Sequence, residues 1–453
     1  MKVLCTILLT FLAGISHAQN ITDSRQREIV IQSVNVVPMD TERVLENQTV
    51  VIKDGKISAI GSRVKYGKGA LVVDGKGKYL IPGLAEMHAH IPPIDDIAPM
   101  KDVLFLFAAN GITTIRGMLG HPRHLELRNK IQSGEILGPR FFTTGPSFNG
   151  MSVTSPEAGA AMVRRQKEAG YDYLKLHPGL TRIKFDSIAA AAKSVDIDFV
   201  GHVSFGVGVW RAIEAGYSSI DHLDGFIEGL IPEIGAMAEQ QTGPFGMYAA
   251  DMVDSTRISK LMNALRSNNV WVVPTQSLAE RWFSPSFEAE SFRADPDAIY
   301  MEPVTIDQWI QSKKNIQSNP QYEAAKVDRF VQLRRKLILA CQHYDVGLLL
   351  GCDAPQVFNV PGFSTHNELQ YLVTAGLTPY EALRTGTVNV GKYLNMDKSG
   401  TIAVGSIADL VLVGGNPLID ITQTKKVEGV MLEGRWLSKA YIEKGLKNLS
   451  RIK

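Results

Sequence analysis

Between Ile81 and Gly351, short apolar runs alternate with longer stretches of helical periodicity. Strands are predicted at Ile81–Met87, Ile112–Gly117, Arg140–Thr144, Tyr171–Leu176, Phe199–His202, Ser218–His222, Val270–Pro274 and Val346–Gly351. Helices are predicted between them at Ala98–Ala109, Pro122–Ile131, Pro156–Glu168, Lys184–Val195, Val207–Ala215, Thr256–Ser267 and Ala325–Tyr344. Strand–helix alternation is the mark of parallel βα units. Ser155-Pro156 places proline at a first helical position, and Thr365-x-x-Glu368 and Thr378-x-x-Glu381 read as capping boxes. Eight strands over about 300 residues predict an α/β fold of the (β/α)8 (TIM) barrel type. A doubly wound open sheet is the alternative, but no Gly-x-Gly-x-x-Gly loop follows the first strand.

The two ends of the chain have a different texture. Ile29–Val37, Val50–Lys53, Lys56–Ile60 and Leu71–Val73 are short apolar runs, and Asp54-Gly55 and Asp74-Gly75 read as hairpin turns. Ala408–Val413 and Val427–Leu432, the latter followed by Glu433-Gly434, repeat that texture. Each end is too short to bury a core alone, so the two are expected to combine into one small composite β-sandwich. The expected organisation is residues 19–80 and 399–453 as the two parts of the sandwich, with residues 81–398 as the barrel.

One connection is unusually long. Thr275 to Tyr322 separates the seventh strand from its helix and carries Trp282, Phe283, Phe287, Phe292, Tyr300, Trp309 and Tyr322. That aromatic load argues against disorder. Two readings remain open, a packed excursion on the rim or a lid over the catalytic face.

Composition adds exclusions. Hydrophobic residues make up 45% of the 453 residues and charged residues 21%, as in an ordinary globular chain. With 48 basic and 46 acidic residues the formal charge is +2, which gives no basic field for nucleic acid. Three cysteines (Cys5, Cys341, Cys352) are too few for a disulfide scaffold or a thiolate zinc cluster, and whether Cys341 and Cys352 pair is open. Met1-Lys2, the apolar run Val3–Ile15 and Ser16-His17-Ala18 have the layout of a cleavable signal peptide over residues 1–18. The expected location is therefore periplasmic or secreted, with no membrane contact after cleavage.

Histidine position carries the chemistry. His88 and His90 end the first strand two residues apart, a spacing that puts both on one face. His202 ends the fifth strand, His222 the sixth, and Asp353 follows the eighth. Singly, each reads as an ordinary buried histidine or a turn aspartate. Together, at the catalytic end of parallel strands, imidazole and carboxylate suit Zn²⁺ or a similar divalent ion with one position left for water. Lys175 shares a strand face with Tyr173 and His177. A lysine there either snorkels to solvent or, if buried, becomes a neutral amine able to add CO₂.

These residues resemble the amidohydrolase superfamily, in its imidazolonepropionase-like and Xaa-Pro dipeptidase-like branch. The resemblance covers nearly the whole mature chain and is carried by the runs Ile81–His90, Ala375–Leu383 and Gly400–Val413. It implies that His88, His90 and Asp353 hold one metal ion and that His202 and His222 hold a second. N6-carboxylated Lys175 and a hydroxide would bridge the two, with Asp353 as the catalytic base and then acid. It further implies an exported amidohydrolase that cleaves a non-standard peptide, dipeptide or N-acyl amino acid C–N bond with two divalent ions, Zn²⁺ foremost. Alternatives are a lactonase or phosphotriesterase on the same centre, a mononuclear deaminase-like site, or a non-catalytic ligand-binding barrel in the periplasm. The expected partner is a small-molecule substrate, with homo-oligomerisation left open. His177, Arg211 and His366 are candidate substrate contacts; each also has a structural explanation, and the substrate-binding residues are unknown.

Overall fold

A computed structural model describes residues 21–451. The signal-peptide reading lies outside the described residues. Among those described, no helix is long and apolar enough to cross a membrane.

Both chain ends enter one nine-stranded sheet. Its central seam is the antiparallel pairing of Tyr79–Pro82 with Leu410–Val413, in register Ile81↔Val411. Strands Ile29–Val36, Leu45–Lys53 and Lys56–Gly61 lie on one side of the seam. Val427–Leu432, Arg435–Ser438 and Thr22–Asp23 lie on the other. The far edges meet: Asp54 N donates to Ser24 O (3.2 Å) and Gly55 N to Ser24 Oγ (2.9 Å). Ile31, Val50, Leu410 and Trp436 from both ends therefore share one core. Gly434 sits where the edges touch, at φ +79°, and a Cβ there would come 2.6 Å from Gly55 Cα. Only glycine fits that approach.

Asp54-Gly55 is the predicted hairpin turn, with φ of +50° and +73°. Asp74-Gly75 is not a hairpin. It joins Leu71–Asp74 to Tyr79–Pro82, and both pair in parallel with Ile29–Val36. Gly75 N is taken by Gln32 O (2.8 Å), so the turn serves a neighbouring strand and not a reversal.

Parallel strands then form the barrel. Leu84–Ala89, Ile112–Gly117 and Arg140–Thr143 pair as one sheet. Leu174–Leu176, Phe199–Gly201, Ser219–Asp221 and Trp271–Val273 pair as another. Bridges Thr144↔Tyr173 and Phe148↔Leu176 join the two. The eighth element, predicted as a strand over Val346–Gly351, is only a bridge at Leu348 to Val272. The cause is a later turn: Thr385 O takes Leu350 N (2.9 Å) and Gly386 O takes Ala85 N (2.9 Å), so that turn wedges between first and eighth elements. Met87 N still reaches Leu350 O (2.8 Å) and closes the ring.

The helices follow their predicted places. Ala98–Ala109 coincides with its expected span, and Ala324–His343 differs from it by one residue at each end. Ser155 Oγ accepts Ala158 N, and Thr378 and Glu381 cap each other as expected. Thr365 and Glu368 are not a cap. Their helix, Phe363–Thr374, begins just after Gly362, and both side chains are recruited elsewhere. The long connection is a packed excursion whose Phe292, Trp309 and Ile310 share a core with Phe358 from the loop after the eighth element. Buried Lys313, on helix Pro303–Gln317, donates to Arg281 O (2.9 Å), Trp282 O (3.2 Å) and Ser284 O (2.7 Å). Cys341 and Cys352 are both buried and free.

Candidate metal centre at the barrel mouth

The six residues singled out in the sequence lie together at the C-terminal end of the strands. His88 and His90 leave the first strand with ring centroids 5.4 Å apart. His222 lies 4.4 Å from His88 and 4.5 Å from His202. Asp353 Oδ1 is 2.6 Å from His90 Nε2 and 3.4 Å from His88 Nε2, and its Oδ2 is 3.9 Å from His222 Nδ1. Lys175 is fully buried beneath them, with Nζ 3.4 Å from both His88 Nε2 and Asp221 Oδ2.

Strict strand alternation would set Ser219 and Asp221 on one face and His222 on the other. His222 nevertheless points inward, because its φ is +63° and the chain turns there. Asp353 (φ +67°) and Thr275 (φ +47°) are in the same left-handed region, which is costly for residues with a Cβ. Three such residues at adjacent strand ends mark strain concentrated at a functional site.

Supporting side chains hold these positions. Asp224 pairs with His202 Nδ1 (2.9 Å), and Thr275 Oγ1 with His222 Nδ1 (2.8 Å), so each ring turns its Nε2 inward. Buried Glu86 accepts Cys352 N (2.8 Å), His88 N (3.1 Å) and Thr365 Oγ1 (2.8 Å), which ties the first element to the eighth. Glu368 accepts Gln276 N (2.8 Å) and Ser277 N (2.7 Å) in the same way. Arg334 donates to His222 O (2.5 Å) and Pro274 O (2.7 Å).

The donors fit a divalent ion. Ligand atoms of His88, His222 and Asp353 lie within 4.8 Å of one another. His222 Nε2 and Asp353 Oδ1 are buried without a hydrogen bond, although Oδ1 is close to two imidazoles. Such unpaired buried atoms are expensive unless something else binds them. Burial drives His88, His202 and His222 well below the ordinary imidazole range, so they are neutral donors. Burial likewise lowers the Lys175 amine, against the opposing pull of Asp221 and Asp353.

A cavity of about 420 Å³ opens above these groups. Phe245 covers it from the loop after the sixth strand, 5.3 Å from the His222 ring, and Trp282 and Leu278 wall it from the long insertion. His177 stacks on His202 at 4.9 Å and faces the cavity. The other two candidate contacts do not. Arg211 is tied to Asp186 (2.8 Å), and His366 is buried between Asn110 O (3.0 Å) and Thr424 Oγ1 (3.1 Å).

Asp221, Asp224, Thr275, Glu228 and Phe245 belong to the site and were not singled out from sequence. Asp221 and Asp224 flank His222, and that proximity was the available signal. Glu86 shares strand parity with His88, which was a signal also. Phe245 had none, since its loop is irregular.

A parallel barrel with imidazoles and a carboxylate at its strand ends defines a class of metal-dependent hydrolases. The chain belongs to the amidohydrolase family, whose model matches residues 79–437. An adenine deaminase from Deinococcus deserti is 21% identical over 405 residues, 88% of this chain and 58% of that protein. The chain thus spans little more than half the length of that relative, and a smaller share of the adenine deaminase of Staphylothermus marinus, 13%. Among solved structures, an Xaa-Pro dipeptidase with bound methionine has a TM-score of 0.65 at 22% identity, covering 91% of this chain and 100% of that one. Bottromycin amidohydrolase has a TM-score of 0.69 at 20% identity, covering 93% and 89%.

Proposed function

We propose that this chain is an exported metal-dependent hydrolase that cleaves amide C–N bonds in small peptides or N-acyl amino acids. The observation that carries this reading is the convergence of neutral imidazoles on a buried carboxylate whose Oδ1 has no hydrogen bond, beneath a walled cavity. His88, His90 and Asp353 would hold one divalent ion, and His202 and His222 a second, with Lys175 as its CO₂ adduct between them. Divalent ions at this place supply Lewis acidity toward a carbonyl and lower the pKa of water.

The chain's own residues do the rest. Asp353 takes the proton of the attacking water and returns it to the leaving amine nitrogen. Asp224 and Thr275 fix the tautomers of His202 and His222. Phe245 and Trp282 exclude bulk solvent from the cavity. Burial lowers the pKa of the Lys175 amine and so favours the neutral form that reacts with CO₂. The Xaa-Pro dipeptidase and bottromycin amidohydrolase likenesses support amide bonds as the target class. The adenine deaminase relative favours a second reading, release of ammonia from an amino-purine, which is also C–N hydrolysis.

The test is turnover on a panel of Xaa-Pro and other dipeptides, N-acyl amino acids, adenine, a lactone and a phosphotriester, with and without chelator. Chelator-sensitive cleavage of peptides or N-acyl amino acids is expected. Hydrolysis indifferent to chelation, or wild-type turnover by Asp353→Asn, would contradict the proposal; cleavage of adenine alone would replace it with the second reading.

A further inference from the structure

The cavity is charged in an unexpected sense. A hydrolase that grips a substrate carboxylate needs a cationic or multi-donor clamp. Among the residues that line this cavity there is no lysine and no arginine. The lining does contain four acids, Asp224, Glu228, Glu239 and Asp353.

Two of the four are already employed. Asp353 belongs to the metal centre, and Asp224 is paired with His202. Glu228 is different. It sits on the short helix Phe226–Leu230 after the sixth strand, and its Oε2 is buried without a hydrogen-bond partner. The carboxyl lies against the loop that carries Phe245, since a Cβ at Gly246 would come 3.2 Å from its Cδ. No cation neutralises it: among the ion pairs of the described residues, none involves Glu228. Burial and the Asp224 carboxylate push its pKa up to about 8. Glu239 stands at the rim of the same cavity and is exposed. A buried carboxyl with one oxygen unpaired, beside two other acids, ionises only at a cost, and a cation placed against it would offset that cost.

We propose that Glu228, assisted by Glu239, selects substrates carrying an ammonium or guanidinium group on the arm that runs from the scissile amide toward the loop after the sixth strand. This rests on the amide-hydrolase reading, but it differs from it in naming the charge of the substrate. A free carboxylate on that arm would find no cationic partner beside Glu228 and would be disfavoured.

The experiment separates the two ideas. Calorimetric binding is measured for three matched probes, 6-aminohexanamide, heptanamide and adipic acid monoamide, on the wild-type holoenzyme and on Glu228→Gln. In parallel, kcat/KM is measured for leucyl-lysine, leucyl-norleucine, leucyl-glutamate and lysyl-leucine. A charge-assisted hydrogen bond predicts about tenfold tighter binding of the amine than of heptanamide. The acid should bind most weakly, and the amine preference should fall to about twofold in Glu228→Gln. Should that variant not fold, Glu239→Gln at the exposed rim carries the test, with the preference reduced by about threefold. Equal binding of amine and neutral probes, tightest binding of the acid, or an undiminished preference in the variants would overturn the proposal. If the amine preference holds while no dipeptide is cleaved, charge selection stands and the dipeptide activity falls.

Discussion

The lower and upper halves of the barrel interior both bury charge, and they treat it differently. Below, Arg116 is fully buried and engaged: Nε donates to Met87 O (2.9 Å), and its terminal nitrogens reach Tyr393 Oη (2.8 Å) and Asp221 Oδ1 (3.3 Å). Its guanidinium also lies over the rings of Tyr173 and Tyr393. Ser218 Oγ completes the set by donating to Tyr393 Oη (2.9 Å). Above, His222 Nε2, His90 Nδ1 and Asp353 Oδ1 are buried with no hydrogen bond. Asp221 joins the two halves, Oδ1 toward Arg116 and Oδ2 toward Lys175. A polar network that satisfies itself holds the fold, whereas one left incomplete is built for something that binds.

That contrast can be broken by substitution. Asp353→Asn is expected to lower kcat by about 10²–10⁴-fold. With metal removed from both proteins, its folding free energy should stay within about 1 kcal/mol of wild type, because the asparagine carbonyl can keep the close contact of Oδ1 with His90 Nε2 (2.6 Å). Urea unfolding alongside steady-state kinetics checks both halves of the statement. Arg116→Met should do the reverse first, costing about 3–5 kcal/mol of stability by leaving Asp221 buried without its cation. An unfolding midpoint unchanged from wild type would contradict the structural assignment of the lower network. Lys313→Met removes the donor from three carbonyls behind Trp282 and should cost about 1–3 kcal/mol. KM should rise with little change in kcat, since the cavity wall loosens while the centre stays. Smallest is Thr378→Ala, which loses a helix cap far from the cavity and should cost about 1 kcal/mol with kinetics unaltered.

Periodicity in the sequence located the barrel strands and their helices, because parallel strands covered on both faces are continuously apolar. It also located His88, His90, His202, His222, Lys175 and Asp353, all at or beside strand ends. What it missed has identifiable causes. The eighth strand dissolves because a turn more than 30 residues later takes its Leu350 N–H. Thr365 and Glu368 have the spacing of a cap, but Gly362 at φ +78° lets the helix begin earlier, and the two side chains go to Glu86 and to Gln276 and Ser277. His222 faces inward only through its left-handed backbone, which alternation cannot anticipate. Glu228 reaches the cavity from a five-residue helix and Phe245 from an irregular loop, both too short to show a repeating pattern. Candidate contacts Arg211 and His366 were plausible by residue type, and their existing partners, Asp186 and Asn110, are distant in sequence.

If the unsatisfied groups of the upper half are metal ligands, metal analysis of the purified protein will show it. Plasma mass spectrometry would be run on wild type, Asp353→Asn and Lys175→Ala, each paired with circular dichroism. About two equivalents of a zinc-like ion are expected in wild type and markedly less in both variants, with the fold retained. Wild-type protein that is metal-free as isolated, takes up no divalent ion on titration and still hydrolyses its substrate would contradict that assignment.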